Sequence, residues 1–261
     1  MVKLYLEELF GLKGKVSAII GGAGVLGSKM AEGLAKAGSN IVIMGPTEEK
    51  GRRRASLISE LGVESLYIRV DARSKDDLIK ADEIINTKFG RIDVLINAQG
   101  VNSNTPFLEI SEEEWYRIID INLKSVFLSC QIFGKRMIEN KRGGSIINIS
   151  SVSSGTPLSK VFTYSISKAG INNLTQNLAR EWAKYNIRVN AIIPGFFPAE
   201  QNRKILTSER VESIMKHTPM SRFGNPEELI GIVILLASEK ASSFITGALI
   251  PVDGGFTAMT I

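Results

Sequence analysis

The sequence predicts an α/β fold, a single domain built on a doubly wound parallel sheet of about seven strands with helices on both faces. Three observations carry this. Short Val/Ile-rich runs alternate with longer amphipathic stretches along the whole chain. Most of those runs are apolar at nearly every position, as strands covered on both sides require. A glycine-rich junction, "GGAGVLG", directly follows the first run and opens a helical pattern.

The runs "VSAII" (16–20), "IVIM" (41–44), "LYIRV" (66–70), "DVLIN" (93–97), "SIINIS" (145–150), "RVNAII" (188–193) and "ALIPV" (248–252) read as strands. Helical patterns lie between them near 25–37, 47–61, 74–88, 111–139, 161–185 and 226–237. Strand–helix alternation implies right-handed crossovers, with ligands taken at the carboxyl ends of the strands. The 261 residues contain no repeats, low-complexity tracts or long linkers, so one domain is expected.

Composition narrows the function classes. Apolar residues make up 44% and charged residues 23%, ordinary values for a soluble globular protein. One cysteine, Cys130, excludes an internal disulfide and suits a reducing compartment. Without a long apolar run or a signal-peptide layout, neither a membrane nor export is expected, and the protein is placed in the cytoplasm. The net charge of +5 raises the question of nucleic acid. The positive residues are scattered, however, and the densest run, "KGRRR" (50–54), sits in a helical pattern behind Glu48 and Glu49. A solvated helix face accounts for it, and DNA or RNA is rejected as the main partner.

At the first junction Gly21, Gly24 and Gly27 are spaced three apart. Small residues there let the backbone approach a pyrophosphate, which free N–H groups at a helix start can hold. A tight turn without a ligand is the alternative, but the position between an apolar strand and a helix favours a Rossmann-type sheet that binds a dinucleotide. Strand two ends in Gly45 and Pro46, where NAD-selective sites carry a carboxylate for the ribose hydroxyls. NAD or NADP both remain open, with a tilt toward NADP; Arg52, Arg53 and Arg54 are candidates for its 2′-phosphate. Asp71 either accepts from an adenine amino group or caps the next helix. Asn97, in "NAQG" (97–100), either contacts ribose or ties neighbouring strands.

Downstream, "YSISK" places Tyr164 and Lys168 on one helical face. Ser151 ends the preceding strand, and Asn122 stands in an otherwise amphipathic helix, where a polar residue needs a partner. With the glycine turn, "NAQG" and the terminal "VDGGF" (252–256), these residues resemble the short-chain dehydrogenase/reductase family over nearly the whole chain. The resemblance implies that Tyr164 exchanges a proton with the substrate, Ser151 holds the substrate oxygen, Lys168 binds nicotinamide ribose and Asn122 maintains a water relay to Lys168. It implies cofactor contacts at Gly21, Gly24, Leu26, Gly27, Asp71, Ala72, Asn97, Ala98, Gly100, Tyr164, Lys168, Pro194 and Gly195, with no metal. An ammonium about 4 Å from a phenolate, at an effective dielectric of 20, contributes roughly 4 kcal/mol, worth about 3 pKa units. On that basis Lys168, with the positive charge of oxidised nicotinamide nearby, is expected to make the Tyr164 phenol a usable proton donor and acceptor near neutral pH. The lone His217 is then not required as a catalyst.

Two departures from the family pattern stand out. The glycine that the family usually carries four residues after the first of the turn is Val25 here, with Gly24 one place earlier, and the usual "NNAG" is "NAQG", with Ala98 and Gln99. In this family, specificity lies in the loop after strand six, here 194–224, where Ala199 replaces a frequent threonine. Gln201, Asn202 and Arg203 follow two phenylalanines; an arginine can grip a carboxylate bidentately and amides can read hydroxyls. The segment resembles the fructuronate reductase (mannonate oxidoreductase) and gluconate 5-dehydrogenase-like branch, which implies a keto sugar acid as substrate. A 3-oxoacyl-carrier-protein reductase is the alternative enzyme, and a non-catalytic nucleotide sensor is the alternative of another class. The long helices 111–139 and 161–185 resemble the family's oligomerising pair, so a homotetramer is expected.

Overall fold

The computed structural model describes residues 2–197 and 207–259. Its centre is a seven-stranded sheet in the order β3-β2-β1-β4-β5-β6-β7. The strands are β1 (Val16–Ile20), β2 (Asn40–Gly45), β3 (Ser65–Arg69), β4 (Val94–Asn97), β5 (Gly144–Ile149), β6 (Ile187–Pro194) and β7 (Leu249–Val252), all paired in parallel. The sequence reading placed every one to within two residues at its ends. Strand order reverses between β1 and β4, which opens a crevice at their carboxyl ends.

Alternation along the strands feeds two cores. Val16, Ala18 and Ile20 pack on one face against α4 (Lys75–Phe89), α6 (Ser125–Asn140) and α7 (Phe162–Trp182). Ile19, Ile41 and Ile43 pack on the other against α2 (Val25–Lys36), α3 (Glu48–Ser59) and α9 (Ile230–Ala237). Buried carboxamides cross the first core. Asn97 Nδ2 donates to Asn148 Oδ1 (2.8 Å), and Asn148 Nδ2 donates to Thr175 Oγ1 (2.9 Å). Ser129 Oγ donates to Asn97 Oδ1 at 2.6 Å. Each polar atom buried there thus has a partner, which offsets its desolvation.

The helical pattern at 111–139 is not one helix. After α5 (Glu112–Ile119), capped by Ser111, a π-turn over Asp120–Lys124 widens the coil before α6 resumes. Asn122 lies in that turn and is fully buried. Three helices escaped the sequence reading: α1 (Val2–Phe10), α8 (Ser208–His217) and the short α10 (Glu239–Ser242). Helix α8 begins at a Thr207 cap, whose hydroxyl accepts from Arg210 N. Among the described residues no helix is long and apolar enough to cross a membrane. In the basic run on α3, Arg52 and Arg53 are exposed, with Arg52 paired to Glu48 at 2.8 Å.

Candidate active site

The carboxyl ends of the strands open into one cavity of about 790 Å³. At its floor, the β1–α2 turn is built from glycine by necessity. Gly21 has φ +79°, and a Cβ there would stand 2.9 Å from the Ala98 carbonyl carbon. A Cβ on Gly27 would run into the Gly21 carbonyl oxygen. Gly24 caps α2 without a side-chain hydrogen bond, and the first turn of α2 carries no acidic residue. Its backbone N–H groups face a cleft lined by Gly24, Val25 and Leu26, which favours an anion. Val25 is compatible with this turn because it is the first helical residue and is half in solvent.

At the β2 end, Gly45, Pro46, Thr47 and Lys50 line the cavity, with open space around Gly45 and no carboxylate. The sequence reading raised Arg52–Arg54 as candidates for a phosphate; of that basic run Lys50, two to four residues nearer the strand, lines the cavity. Asp71 and Ala72 line the β3 end. Asp71 does not cap α4, a role taken by Ser74; its carboxylate is forked by Arg73 at 2.6 and 2.9 Å, which lowers its pKa. At β4, Ala98 and Gly100 face the cavity, whereas the Asn97 side chain is buried and bound to Asn148 and Ser129. Of the two roles expected for Asn97, its side chain therefore takes the strand tie and does not reach the cofactor edge. Gln99 spans the space that a smaller residue would leave, donating from Nε2 to Ser125 Oγ at 2.9 Å.

The chemistry-bearing residues meet at β5. Ser151, extended and two residues past the end of β5, lines the cavity with Tyr164, and its hydroxyl accepts from Ser153 N. On α7, Lys168 Nζ lies 5.6 Å from the Tyr164 ring centroid and donates to the Ile149 carbonyl at 2.8 Å. Asn122 stands behind them. Its carboxamide accepts from Val101 N (2.8 Å) and donates to Val101 O (2.9 Å) and Ser167 Oγ (3.0 Å). These bonds hold the backbone at Val101. Pro194 and Gly195 close the β6 side, where Gly195 N donates to Val252 O at 3.0 Å.

A family model described as enoyl-(acyl carrier protein) reductase matches residues 21–257. The chain belongs to the short-chain dehydrogenase/reductase family. It is 36% identical to a 5-keto-D-gluconate 5-reductase of Escherichia coli (strain K12), over 96% of this chain and 98% of that protein. It is 37% identical to a 3-oxoacyl-[acyl-carrier-protein] reductase of Aquifex aeolicus, over 94% and 98% respectively. Among solved structures, a gluconate 5-dehydrogenase from Burkholderia cenocepacia J2315 in complex with NADP and tartrate superposes with a TM-score of 0.93 at 32% identity, covering 97% of this chain and 99% of that one. As a short-chain dehydrogenase/reductase, this protein is an NAD(P)-dependent oxidoreductase, and its glycine cradle fits that cofactor's pyrophosphate.

Burial governs the titration of the reductase's central pair. It pushes the Lys168 amine from 10.5 down to about 8, and it raises the Tyr164 phenol above its ordinary value, with the Ser151 hydrogen bond acting in opposition. The expected lowering of the phenol by Lys168 is therefore not realised by the chain's own groups. Desolvation drives both toward their neutral forms. His217, the lone histidine, packs edge-on against Phe256 with centroids 4.7 Å apart and is not among the cavity's lining residues. Gln201, Asn202, Arg203 and Ala199 lie outside the described residues. Sequence reasoning overlooked Lys50, Arg73, Arg117 and Arg210, all of which line the cavity. The spacing of Lys50 from Gly45 and the Thr207 cap before Arg210 were the available signals.

Two outcomes follow from this geometry. Gly27→Ala forces the Gly21 carbonyl aside, and NADPH binding followed by fluorescence titration should weaken at least tenfold while far-ultraviolet circular dichroism stays unchanged. Unaltered affinity would remove the turn's role. The amine's folded pKa is below its unfolded one, so the penalty for burying its charge is complete below pH 8 and gone above 10.5. Relative to Lys168→Met, the parent should gain about 3 kcal/mol in urea denaturation as pH rises through that window. A pH-independent difference between the two would contradict the burial argument.

Proposed function

We propose that this protein interconverts a ketone and a secondary alcohol on a sugar acid, of the gluconate/5-ketogluconate type, using NADP in preference to NAD. The observation that carries the reading is the convergence of Ser151, Tyr164 and Lys168 at the β5 end of the cavity whose floor is the glycine turn. The named relatives support the sugar-acid substrate, and Lys50 beside a β2 end without a carboxylate supports the phosphorylated cofactor.

In this reading Gly21, Gly24, Leu26 and Gly27 hold the pyrophosphate, Asp71 and Ala72 the adenine side, and Ala98, Gly100, Pro194 and Gly195 the nicotinamide half. The bound nucleotide supplies or accepts the hydride. The Ser151 hydroxyl holds the substrate oxygen, and the Tyr164 phenol gives that oxygen a proton on reduction or takes one on oxidation. The Lys168 amine, still largely protonated at neutral pH, binds the nicotinamide ribose and is held in place by the Ile149 carbonyl. Ammonium and oxidised nicotinamide together favour the phenolate that burial alone opposes. Asn122 fixes the backbone at Val101; an ideal Cβ on Gly100 would lie 3.5 Å from both Asn122 Oδ1 and Lys168 Nζ, so the two converge on one point. The 3-oxoacyl-carrier-protein reductase reading is kept by the Aquifex aeolicus relative.

A second copy of the chain fits the face of α6 and α7. There Phe127, Cys130, Leu174, Leu178 and Trp182 line an apolar groove of about 390 Å³, with Phe127 half-exposed. This agrees with the family's oligomerising helix pair.

A spectrophotometric screen tests the activity: 5-keto-D-gluconate and related keto sugar acids should oxidise NADPH faster than NADH, and faster than a 3-oxoacyl thioester does. Preference for the thioester would replace the sugar-acid reading. Tyr164→Phe should cut kcat at least about 100-fold with cofactor affinity nearly intact; retained turnover would refute the proton-donor role. Sedimentation should show a multiple of 28.5 kDa that shrinks in Phe127→Asp, and a monomeric parent would exclude the second copy.

A further inference from the structure

We propose that Arg210 holds the substrate's carboxylate and so sets the preference for acids over neutral ketones; the inference rests on the sugar-acid reading above. Five cations line the cavity among the described residues: Lys50, Arg73, Arg117, Lys168 and Arg210. Lys50 and Arg73 stand at the β2 and β3 ends, on the adenosine side, and Arg73 is already paired with Asp71. Lys168 is committed to Ile149 and the ribose. Arg117 is exposed on α5. Arg210 differs from all of these in the wall it comes from. It projects from the first turn of α8 and lines the same cavity as Ser151, Tyr164, Leu158 and Val161.

Its environment leaves the charge available. Nη2 donates to the Ser159 carbonyl at 3.1 Å, and no acidic side chain among the described residues pairs with the guanidinium. A neutral carbonyl orients the group without cancelling its charge, and most of a guanidinium's five donors remain free for an incoming carboxylate. The residue is half-buried and lines a cavity whose wall also carries apolar Leu158, Val161, Phe197 and Phe223; a charge-assisted pair is stronger there than in open water. Lys160, directly after Ser159, is held in the left-handed region at φ 60°. An L-residue adopts this at a cost, which marks the loop bearing the Ser159 carbonyl as a constrained one. In a 5-keto acid the carboxylate is four carbon–carbon bonds from the reacting ketone. With the ketone at Ser151 and Tyr164, the chain of hydroxylated carbons would run across the cavity toward α8.

The test compares 5-keto-D-gluconate with its neutral methyl ester in the parent, Arg210→Met and Arg210→Lys. The parent should prefer the acid, and Arg210→Met should lower the acid-to-ester ratio of kcat/KM roughly ten- to hundred-fold, chiefly through KM, with the KM for NADPH unmoved. Arg210→Lys should restore part of that ratio. A ratio unchanged in Arg210→Met, or equal losses on both compounds, would overturn the assignment while leaving the sugar-acid activity standing. A parent that reduces neither compound sinks the sugar-acid reading itself, and the assignment with it.

Discussion

A chain of buried hydrogen bonds, Ser129–Asn97–Asn148–Thr175, runs through the first core at the depth where the strands end. It joins α6 to β4, β4 to β5, and β5 to α7. On one side of it lies the nucleotide turn, in register with β4 through Ile20 and Asn97. On the other lies the helix that bears Tyr164 and Lys168. Removing one member would leave a neighbour buried and unpaired, so the link resists sliding of one half of the sheet past the other. The proximity of the glycine turn to the phenol depends on that register being fixed, because the turn is carried by the end of β1 and the phenol by α7, which is tied to β5, and a small shear would separate them.

Electrostatics at the site work against stability and toward use. A lysine kept from solvent and held by one carbonyl is an unfavourable feature of a fold taken alone. The same desolvation leaves the phenol reluctant to ionise, whereas the amine, lowered only to about 8, keeps most of its charge at neutral pH.

The sheet was legible because parallel strands buried on both faces leave a direct trace, continuous apolar runs of four to eight residues. The Tyr164–Lys168 pair was legible through helical spacing, and the glycines through steric need. Three things were hidden for identifiable reasons. Asn97 and Ser129 are distant in sequence, so the reading could not decide whether the asparagine faced ligand or core. The π-turn keeps helical hydrogen-bonding residues on either side, and only Asn122, polar in an apolar helix, hinted at it. Of the basic run on α3 only Lys50 lines the cavity, a distinction that a run of charges in sequence does not reveal.

The wide turn at Asp120–Lys124 also constrains how this protein could change over time. It holds one residue more than a regular coil would, and each residue of an α-helix turns the chain by about 100°. Loss of a single residue here could be absorbed by reverting to regular geometry, which would leave α5 and α6 continuous and facing as before but would remove the widened turn that aims Asn122. The carboxamide would then swing off Val101, and the segment would lose its hold on the cavity edge without any visible break in the helix. Length at this point is therefore as much a determinant of the site as residue identity is.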